Sequence, residues 1–171
     1  MNDDEAQDVL HRLHDEVDRA AGALAARHVG RLRCGRGCAA CCVDGLGVYE
    51  VEAERIRRAH GALLASGTPH APGACAFLGA DNECRIYPDR PYVCRTQGLP
   101  LRWLAEAQEG GEIEEGRDIC PLNAAGPPLH ELPEDACWLL GPVEQRLAAL
   151  EHARDGGGRR VALRSLFRRT A

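Results

Sequence analysis

Four cysteines close together in the sequence are the residues whose type and spacing most clearly indicate chemistry. Cys34, Cys38, Cys41 and Cys42 follow one another at intervals of four, three and one positions. On a helix these offsets lie along one face, whereas the two glycines between the first pair favour a loop that wraps around a metal. In either case several thiolates converge, and thiolates so close repel one another unless a cation holds them. The run therefore predicts a metal ion or an iron–sulfur cluster.

Further cysteines lie along the chain in segments rich in turn residues. They are Cys75, Cys84, Cys94 and Cys120. Turns beside a cysteine free backbone N–H groups to hydrogen-bond a thiolate sulfur. Cys137, next to a tryptophan on a predicted helix, is interpreted as structural. The other eight cysteines are candidate metal ligands, enough for two four-thiolate sites or for one site with spare thiols.

The spacing of the cysteines also bears on the identity of the metal. Structural zinc sites usually come from paired C-x2-C knuckles, and Cys38 and Cys41 form the only such pair here. We therefore favour an iron–sulfur cluster of the 4Fe–4S type over zinc, and zinc stays open. The alternative function is a structural zinc domain that mediates protein contacts, in which each site contributes folding free energy on the order of 10 kcal/mol.

The spacing Cys34-x3-Cys38-x2-Cys41 is similar to the cluster motif of radical S-adenosylmethionine enzymes. In that motif an aromatic residue normally precedes the third cysteine, and here the residue is Ala40. The chain of 171 residues is also shorter than the ~200 residues at the low end for a barrel scaffold. We therefore do not favour a radical enzyme of that type.

Two arginines beside one of the cysteines are candidate cofactor-binding residues. Arg90 and Arg95 can neutralise a negatively charged cluster or bind an anionic substrate; an ion pair with Asp89 or a bond to a loop carbonyl is the alternative. His11 and His14 lie one turn apart on a predicted helix, and an exposed helix face is favoured over a metal pair. No catalytic residue is assigned, and the sequence does not decide whether the protein is an enzyme.

The composition excludes several functions and limits the partners. The chain has no lysine, which excludes a Schiff-base or P-loop lysine. Its net charge of −5 argues against nucleic acid as a partner, and no segment approaches the ~20 apolar residues of a membrane span. The acidic N-terminus has no apolar stretch of signal-peptide length, so we expect a cytoplasmic protein whose thiols stay reduced. Its partner would be a protein or a small molecule.

The periodicity of apolar residues predicts a small, compact, mainly α domain with irregular cysteine-rich metal-binding loops. We expect one domain over 1–171 with a metal-binding core at 30–125. The N-terminal flanking helix spans 4–29 and is followed by a second helix at 50–65. The other elements are two short β-strands around 75–87, a brief helix at 102–108, an acidic solvated loop at 109–118, and flanking helices within 134–170 that Gly141-Pro142 and a glycine run interrupt. The last of these is a basic helix whose arginines, at 160, 164 and 168, form a solvated stripe.

Three motifs in a fixed order resemble a known family. They are CGRGCAACC at 34–42, CAFL at 75–78 and CRIYPDRPYVCR at 84–95. Together they resemble the YkgJ-type CxxCxxCC family of cysteine-cluster proteins, a family proposed to chelate zinc or iron. The resemblance covers about residues 30 to 125, and CRTQGLPL (94–101) and ICPLN (119–123) are similar to one bacterial branch.

The resemblance implies functions for the residues already singled out. It maps the eight candidate cysteines to chelating positions, and it places Arg90 and Arg95 in an RPxxCR motif. This chain departs from the pattern by having three residues between its first two cysteines and by the additional Cys137. Because the family includes a larger flagellin lysine methylase, iron–sulfur-dependent methyl transfer from S-adenosylmethionine is a second alternative. Membership alone does not carry that activity to a shorter chain.

Overall fold

The structure, a computed structural model, describes residues 1–106 and 111–167. In this part of the chain four α-helices and five short strands alternate with long irregular segments. The helices are α1 (Asp3–Arg27), α2 (Glu50–Ser66), α3 (Tyr92–Arg95) and α4 (Gly141–Asp155). The strands are β1 (Gly47–Tyr49), β2 (Leu101–Glu106), β3 (Ile113–Asp118), β4 (Trp138–Leu139) and β5 (Arg160–Ala162). The fold is therefore a compact mixture of α and β.

The first helix begins at a strong capping signal. The Asn2 side chain accepts from the Glu5 backbone N–H while the Glu5 carboxylate accepts from the Asn2 N–H, which satisfies two donors that a helix start leaves free. Apolar residues at helical spacing, such as Leu10 and Val17, then bury one face. The helix predicted over 4–29 is confirmed, with its end at Arg27.

Three helices share one apolar core. Leu10 of α1, Val51 of α2 and Leu147 of α4 are all buried in it, together with Tyr92 of the short helix α3. The Tyr92 hydroxyl donates to the Leu140 carbonyl, so α3 is fixed to the start of α4. This core positions α3, which carries one of the candidate metal ligands.

The second helix agrees closely with its prediction. The expected helix over 50–65 is confirmed and ends at Ser66, followed by Gly67. His60 leaves helical geometry and kinks the helix, and its ring is hydrogen-bonded to Asp89 at 2.9 Å. The kink therefore connects α2 to the turn that leads into α3.

Most of the strands were not predicted from the sequence. β1 pairs antiparallel with β5, and β2 lies between antiparallel β3 and parallel β4. The brief helix predicted at 102–108 is wrong over β2, and the solvated loop predicted at 109–118 is wrong over β3; residues 107–110 lie outside the described residues. The hairpin forms because Trp103 covers Gly116 and Arg102 pairs with Glu115, which are cross-strand contacts that a helix pattern does not reveal.

The two strands expected around 75–87 amount to one isolated bridge between Leu78 and Cys84. The mainly α prediction is thus correct for the helical framework and too low in its strand content.

The C-terminal prediction also needs correction. Within the described residues 134–167 the structure has one α-helix, α4, which begins at Gly141 with Pro142 in its first turn and ends at Asp155, with Gly156 as its C-cap. Before it, 134–139 form a 3₁₀ turn and β4; after it, 160–166 form β5 and a 3₁₀ turn instead of a basic helix. Proline and glycine divide the segment into pieces too short for a continuous helix. Residues 168–171 lie outside the described residues.

Within residues 1–106 and 111–167, no helix combines the length and the apolar character needed to span a bilayer.

Candidate metal centre

Five of the cysteines lie near enough to influence one another's charge, and we call them the five-thiol cluster. Its members are Cys41, Cys42, Cys75, Cys84 and Cys94. The Cys75 N–H donates to the Cys42 carbonyl at 2.8 Å, and the Leu78–Cys84 bridge folds the next loop back on itself. Cys94 lies on α3, which the helical core holds in place. Four separate segments of the chain thus supply thiols to one region.

The thiols of this cluster influence one another electrostatically. Burial, together with negative charge on Cys75, Cys84 and Cys41, raises the pKa of Cys94 to about 12. Burial also raises the pKa of Cys75 and of Cys84. Without a cation these thiols hold their protons, so binding a metal would displace protons from the cluster.

The adjacent pair Cys41 and Cys42 shares one proton. A hydrogen bond from Cys42 lowers the pKa of Cys41, and the same bond raises the pKa of Cys42. The two groups therefore titrate as a unit. The pair therefore contains one thiolate next to one protonated thiol.

Two of the thiols accept backbone hydrogen bonds. The Phe77 N–H donates to the sulfur of Cys75, and the Ile86 N–H donates to the sulfur of Cys84. Both bonds favour the thiolate and oppose the effect of burial on its pKa. Each comes from the residue two positions after the cysteine, which supports the expectation that turns beside the cysteines aim N–H groups at sulfur.

A partly buried ion pair clamps the loops around this cluster. The Arg164 Nε donates to both carboxylate oxygens of Asp44 at 2.9 Å, and the same guanidinium donates to the carbonyls of His70 and Ala74. The bond from Arg164, supported by the Gly73 N–H, lowers the pKa of Asp44 to about 2. The prediction that Arg164 belongs to a solvated stripe is therefore wrong, because the 3₁₀ turn directs it into the loops.

Three other cysteines lie near one another, and we call them the three-thiol cluster. Its members are Cys34, Cys38 and Cys120. Burial raises the pKa of Cys34, and charge on Cys120 or Cys38 raises it further. Cys34 is exposed and the other two are half-buried. This cluster is thus the more accessible of the two.

One buried amide positions the three-thiol cluster. Asn123 is fully buried; its Nδ2 donates to the Cys34 sulfur at 3.0 Å and to the Gly98 carbonyl at 2.7 Å. Its Oδ1 accepts from the Arg33 N–H at 2.7 Å. Asn123 therefore joins the first cysteine loop to the turn after Cys120. Sequence reasoning missed its role, although it is the last residue of the ICPLN motif, three positions after a cysteine at a proline turn.

Glycine is required where the chain passes this cluster. Gly98 has a φ of 95°, and a Cβ there would lie 2.9 Å from the Cys34 sulfur. Arg31, also buried, donates to the carbonyls of Ala125 and Pro127. These contacts hold the first cysteine loop against the segment that follows Cys120.

The thiols of the two clusters are suitable ligands for a soft metal, although they are not already arranged around a metal position. Thiolates are the ligands that zinc and iron–sulfur clusters prefer. In the described part of the chain, no three Cys, His, Asp or Glu side chains are arranged so that they could hold one metal ion. Rotation about χ1 between staggered positions moves a sulfur by about 3 Å. The residues present therefore fit a metal that orders their side chains on binding.

The two arginines beside Cys94 form ion pairs with α1. Arg95 donates to Asp18 at 2.6 Å and to the Pro88 carbonyl, and Arg90 donates to Asp18 at 3.3 Å. The ion-pair alternative is thus present, with Asp18 in place of Asp89 as the partner. Asp89 instead pairs with Arg55.

The two histidines of α1 have different environments. His11 is exposed, as expected, and lies 3.7 Å from Asp15. His14 is buried, with its Nε2 3.4 Å from the Glu52 carboxylate, so the exposed face predicted for it is wrong. Burial lowers the pKa of His14, while the bond to Glu52 opposes that effect.

Cys137 lies away from both clusters. It is buried, and its sulfur is 3.8 Å from an Arg117 nitrogen. The charges that act most on its pKa, after burial, are those of arginines and of Glu115. Its surroundings agree with the structural interpretation.

Comparison with known proteins identifies one family. A family model for the CxxCxxCC domain, proposed to chelate zinc or iron, matches residues 33–121. That match includes all eight cysteines of the two clusters and ends one residue after Cys120. Neither comparison of the chain, with curated proteins or with solved structures, gives a match.

Proposed function

This chain belongs to the CxxCxxCC family of zinc- or iron-chelating domains, and we propose that it binds metal through two separate sets of thiolates. The five-thiol cluster would hold a 4Fe–4S cluster or zinc as its principal centre. The three-thiol cluster would form a second, more accessible site. The convergence of eight thiols from distant segments is the observation that carries this proposal.

The five-thiol cluster has the features of a retained, structural centre. Its thiols are half-buried, and Cys75 and Cys84 pack against a second apolar core that includes Phe77 and Ile86. Backbone N–H groups point at two of the sulfurs, and Arg85 and Arg164 supply nearby positive charge. Thiolate centres carry net negative charge, which such donors and arginines stabilise. Four of the five thiols are enough for either zinc or a 4Fe–4S cluster.

The three-thiol cluster has fewer ligands and greater exposure. Three thiolates leave one position of a four-coordinate centre for a ligand from outside the set, and open positions are where metal sites do chemistry. A redox or enzymatic role would therefore belong here, with the five-thiol cluster holding the loops in place. Asn123 would keep Cys34 oriented through its hydrogen bond to sulfur.

We favour iron–sulfur over zinc on the spacing of the ligands. Outside Cys38 and Cys41 the chain has no C-x2-C knuckle, and these two residues belong to different clusters. The usual zinc knuckle is thus not used as a unit in either set. A structural zinc domain is the alternative that the same thiols can support.

Anaerobic purification with analysis of iron, zinc and labile sulfide tests the identity of the metal. An iron–sulfur protein is brown, absorbs near ~400 nm and bleaches with dithionite. Colourless protein loaded with zinc and lacking labile sulfide overturns the iron–sulfur assignment. Protein that takes up neither metal, even after anaerobic reconstitution, overturns the proposed function.

Three cysteine variants test the separation into two sites. Cys84→Ala should lose the metal of the five-thiol cluster, and Cys34→Ala should lose only that of the three-thiol cluster. Cys137→Ala is the matched control and should keep the metal content of the unmodified protein. If Cys84→Ala and Cys34→Ala abolish the same spectroscopic signal, the two sets form one site and the separation is wrong.

A further inference from the structure

A cavity opens between α1 and the segment after α3, directly beside the three-thiol cluster. Its volume is about 280 Å³, and it is reached from solvent. It is lined by Asp18 and Gly22 of α1, by Arg90, Arg95 and Gly98, and by Cys34. The metal-binding proposal leaves this cavity unused.

Two guanidinium groups face one carboxylate in this cavity. Arg95 and Arg90 both donate to Asp18, at 2.6 and 3.3 Å. Asp18 is 40% exposed, whereas the Arg95 and Arg90 side chains are only 3% and 16% exposed. The lining therefore carries a net positive charge, because two arginines face one aspartate. Because the arginines are the better-buried partners, their excess charge is poorly screened by water.

Apart from the polar side chains of Gln97 and Asn123, most of the remaining lining is apolar. Ala21, Ala25, Leu32 and Leu99 contribute to the walls. Pockets for drug-sized ligands usually measure ~300–1,000 Å³, so this cavity of about 280 Å³ lies just below that range and suits a small ligand. Its shape and chemistry are those of a site for a small apolar body with one anionic end.

We propose that this cavity, which we call the arginine pocket, binds a small carboxylate with a short apolar chain beside Cys34. The planar guanidinium of Arg90 or Arg95 matches the two oxygens of a carboxylate. Asp18 holds both arginines in position. When the ligand binds, it takes over some of the hydrogen bonds that the arginines otherwise donate to Asp18. The apolar walls accept the chain, and the ligand lies next to the three-thiol cluster. This inference goes beyond metal binding and does not require a metal for the ligand to bind.

Ligand-observed NMR titration of the full chain with butyrate tests the proposal. Butyramide is the neutral probe of the same shape, and inorganic phosphate is an anion without an apolar part. We expect saturable binding of butyrate, with butyramide and phosphate each bound at least ~10-fold more weakly. Equal binding of butyramide overturns the role of the charge, and tighter binding of phosphate overturns the carboxylate assignment. Failure of butyrate to bind overturns the pocket itself.

A blocking variant locates the binding in the arginine pocket. Gly22 lies on the exposed side of α1, and a Cβ there meets no atom within 4 Å. Gly22→Leu should fill the pocket without disturbing the helix and abolish butyrate binding. Gly61→Leu is the matched control, because Gly61 is an exposed glycine of α2 with the same free space and lies outside the pocket. Unchanged binding in Gly22→Leu overturns the location.

A charge variant tests the arginines separately. Arg90→Gln keeps most of the side-chain length, removes the charge and should weaken butyrate binding at least ~10-fold. Arg146→Gln, on the exposed surface of α4, is the control and should not change it. Metal content is measured on each variant, so that loss of metal and loss of butyrate binding are distinguished. Arg90→Gln with unchanged affinity overturns the role of its guanidinium.

Discussion

The helical framework and the cysteine-bearing loops are held together by different forces. Between α1, α2 and α4 the buried side chains are mostly apolar, such as Leu10, Val51 and Leu147. In the cysteine-bearing loops an apolar core around Phe77 is supplemented by buried polar residues that join one segment to another, such as Asn123. The helices pack through hydrophobic burial, whereas the loops depend in addition on directed hydrogen bonds and on the metal that we propose.

This difference explains how a chain with seven aromatic residues orders such long irregular segments. Arginines satisfy loop carbonyls that no helix or sheet satisfies, as Arg164 does for His70 and Ala74. Such a loop retains its shape only while its partners stay in place. The framework should therefore be robust, and the loops should respond to the state of their thiols.

Removal of the metal should have the largest effect and should affect the loops first. Structural metal sites contribute on the order of 10 kcal/mol, so anaerobic chelation should abolish hydrogen-exchange protection at 28–46 and 67–86. Protection in α1 and α4 should largely persist, because their apolar core does not include the thiols. Simultaneous loss of protection in α1 and both loops would show that the two regions are one cooperative unit.

Truncation of one core residue in each region should separate stability from metal retention. Phe77→Ala empties the core beside Cys75, where its ring lies 5.0 Å from that of Phe167, and should cost about 3–5 kcal/mol. Leu10→Ala should cost about 2–5 kcal/mol in the framework. Urea unfolding measures the loss of stability in each variant. Metal analysis of the folded proteins should show metal loss in Phe77→Ala and not in Leu10→Ala. Equal metal loss in folded Leu10→Ala contradicts the comparison.

Removal of the Asn123 amide should have a smaller and more local effect. Asn123→Ala leaves the Arg33 N–H and the Gly98 carbonyl without this partner, at about 1–3 kcal/mol for each buried group. Metal analysis should show loss from the three-thiol cluster with the five-thiol cluster still loaded. Asn123→Asp keeps an acceptor for Arg33 but places a buried carboxylate oxygen against the Gly98 carbonyl and the Cys34 sulfur, so it should also lose that metal. Full metal content in both variants would contradict the role of Asn123.

Protonation of His14 should have the smallest effect, and it should lie in the framework. Burial lowers the pKa of His14 below 6.5, so below about pH 6.5 the unfolded chain binds this proton more readily than the folded chain. The unfolding free energy should therefore fall as the pH decreases from 6.5 towards the folded pKa, and above that window this residue should add no pH dependence. Urea unfolding between pH 7.5 and 5.5 should show a shallower slope in His14→Gln. An unchanged slope in that variant assigns the pH dependence to other groups.

The parts of the fold that were predictable are those with local signals. The apolar periodicity of α1 and α2 is contained within each segment, so the sequence reveals it. The hairpin of β2 and β3 has no such signal, because most of its residues are exposed and its order comes from cross-strand contacts such as Trp103 over Gly116. The environment of Arg164 was likewise predicted wrongly, because its partners Asp44 and His70 are about a hundred residues away in the chain.

By itself the sequence determined that this protein carries eight cysteines suited to soft metals and that two long helices flank the first of them. Those conclusions follow from residue chemistry and local spacing, which do not depend on how the chain folds. Only the tertiary structure decided that Cys34 and Cys120 lie together, that Cys42 and Cys75 belong to another set, and that Asn123 joins two loops. Hydrogen bonds between segments up to 90 residues apart impose that grouping, and neighbours in sequence such as Cys38 and Cys41 are divided by it.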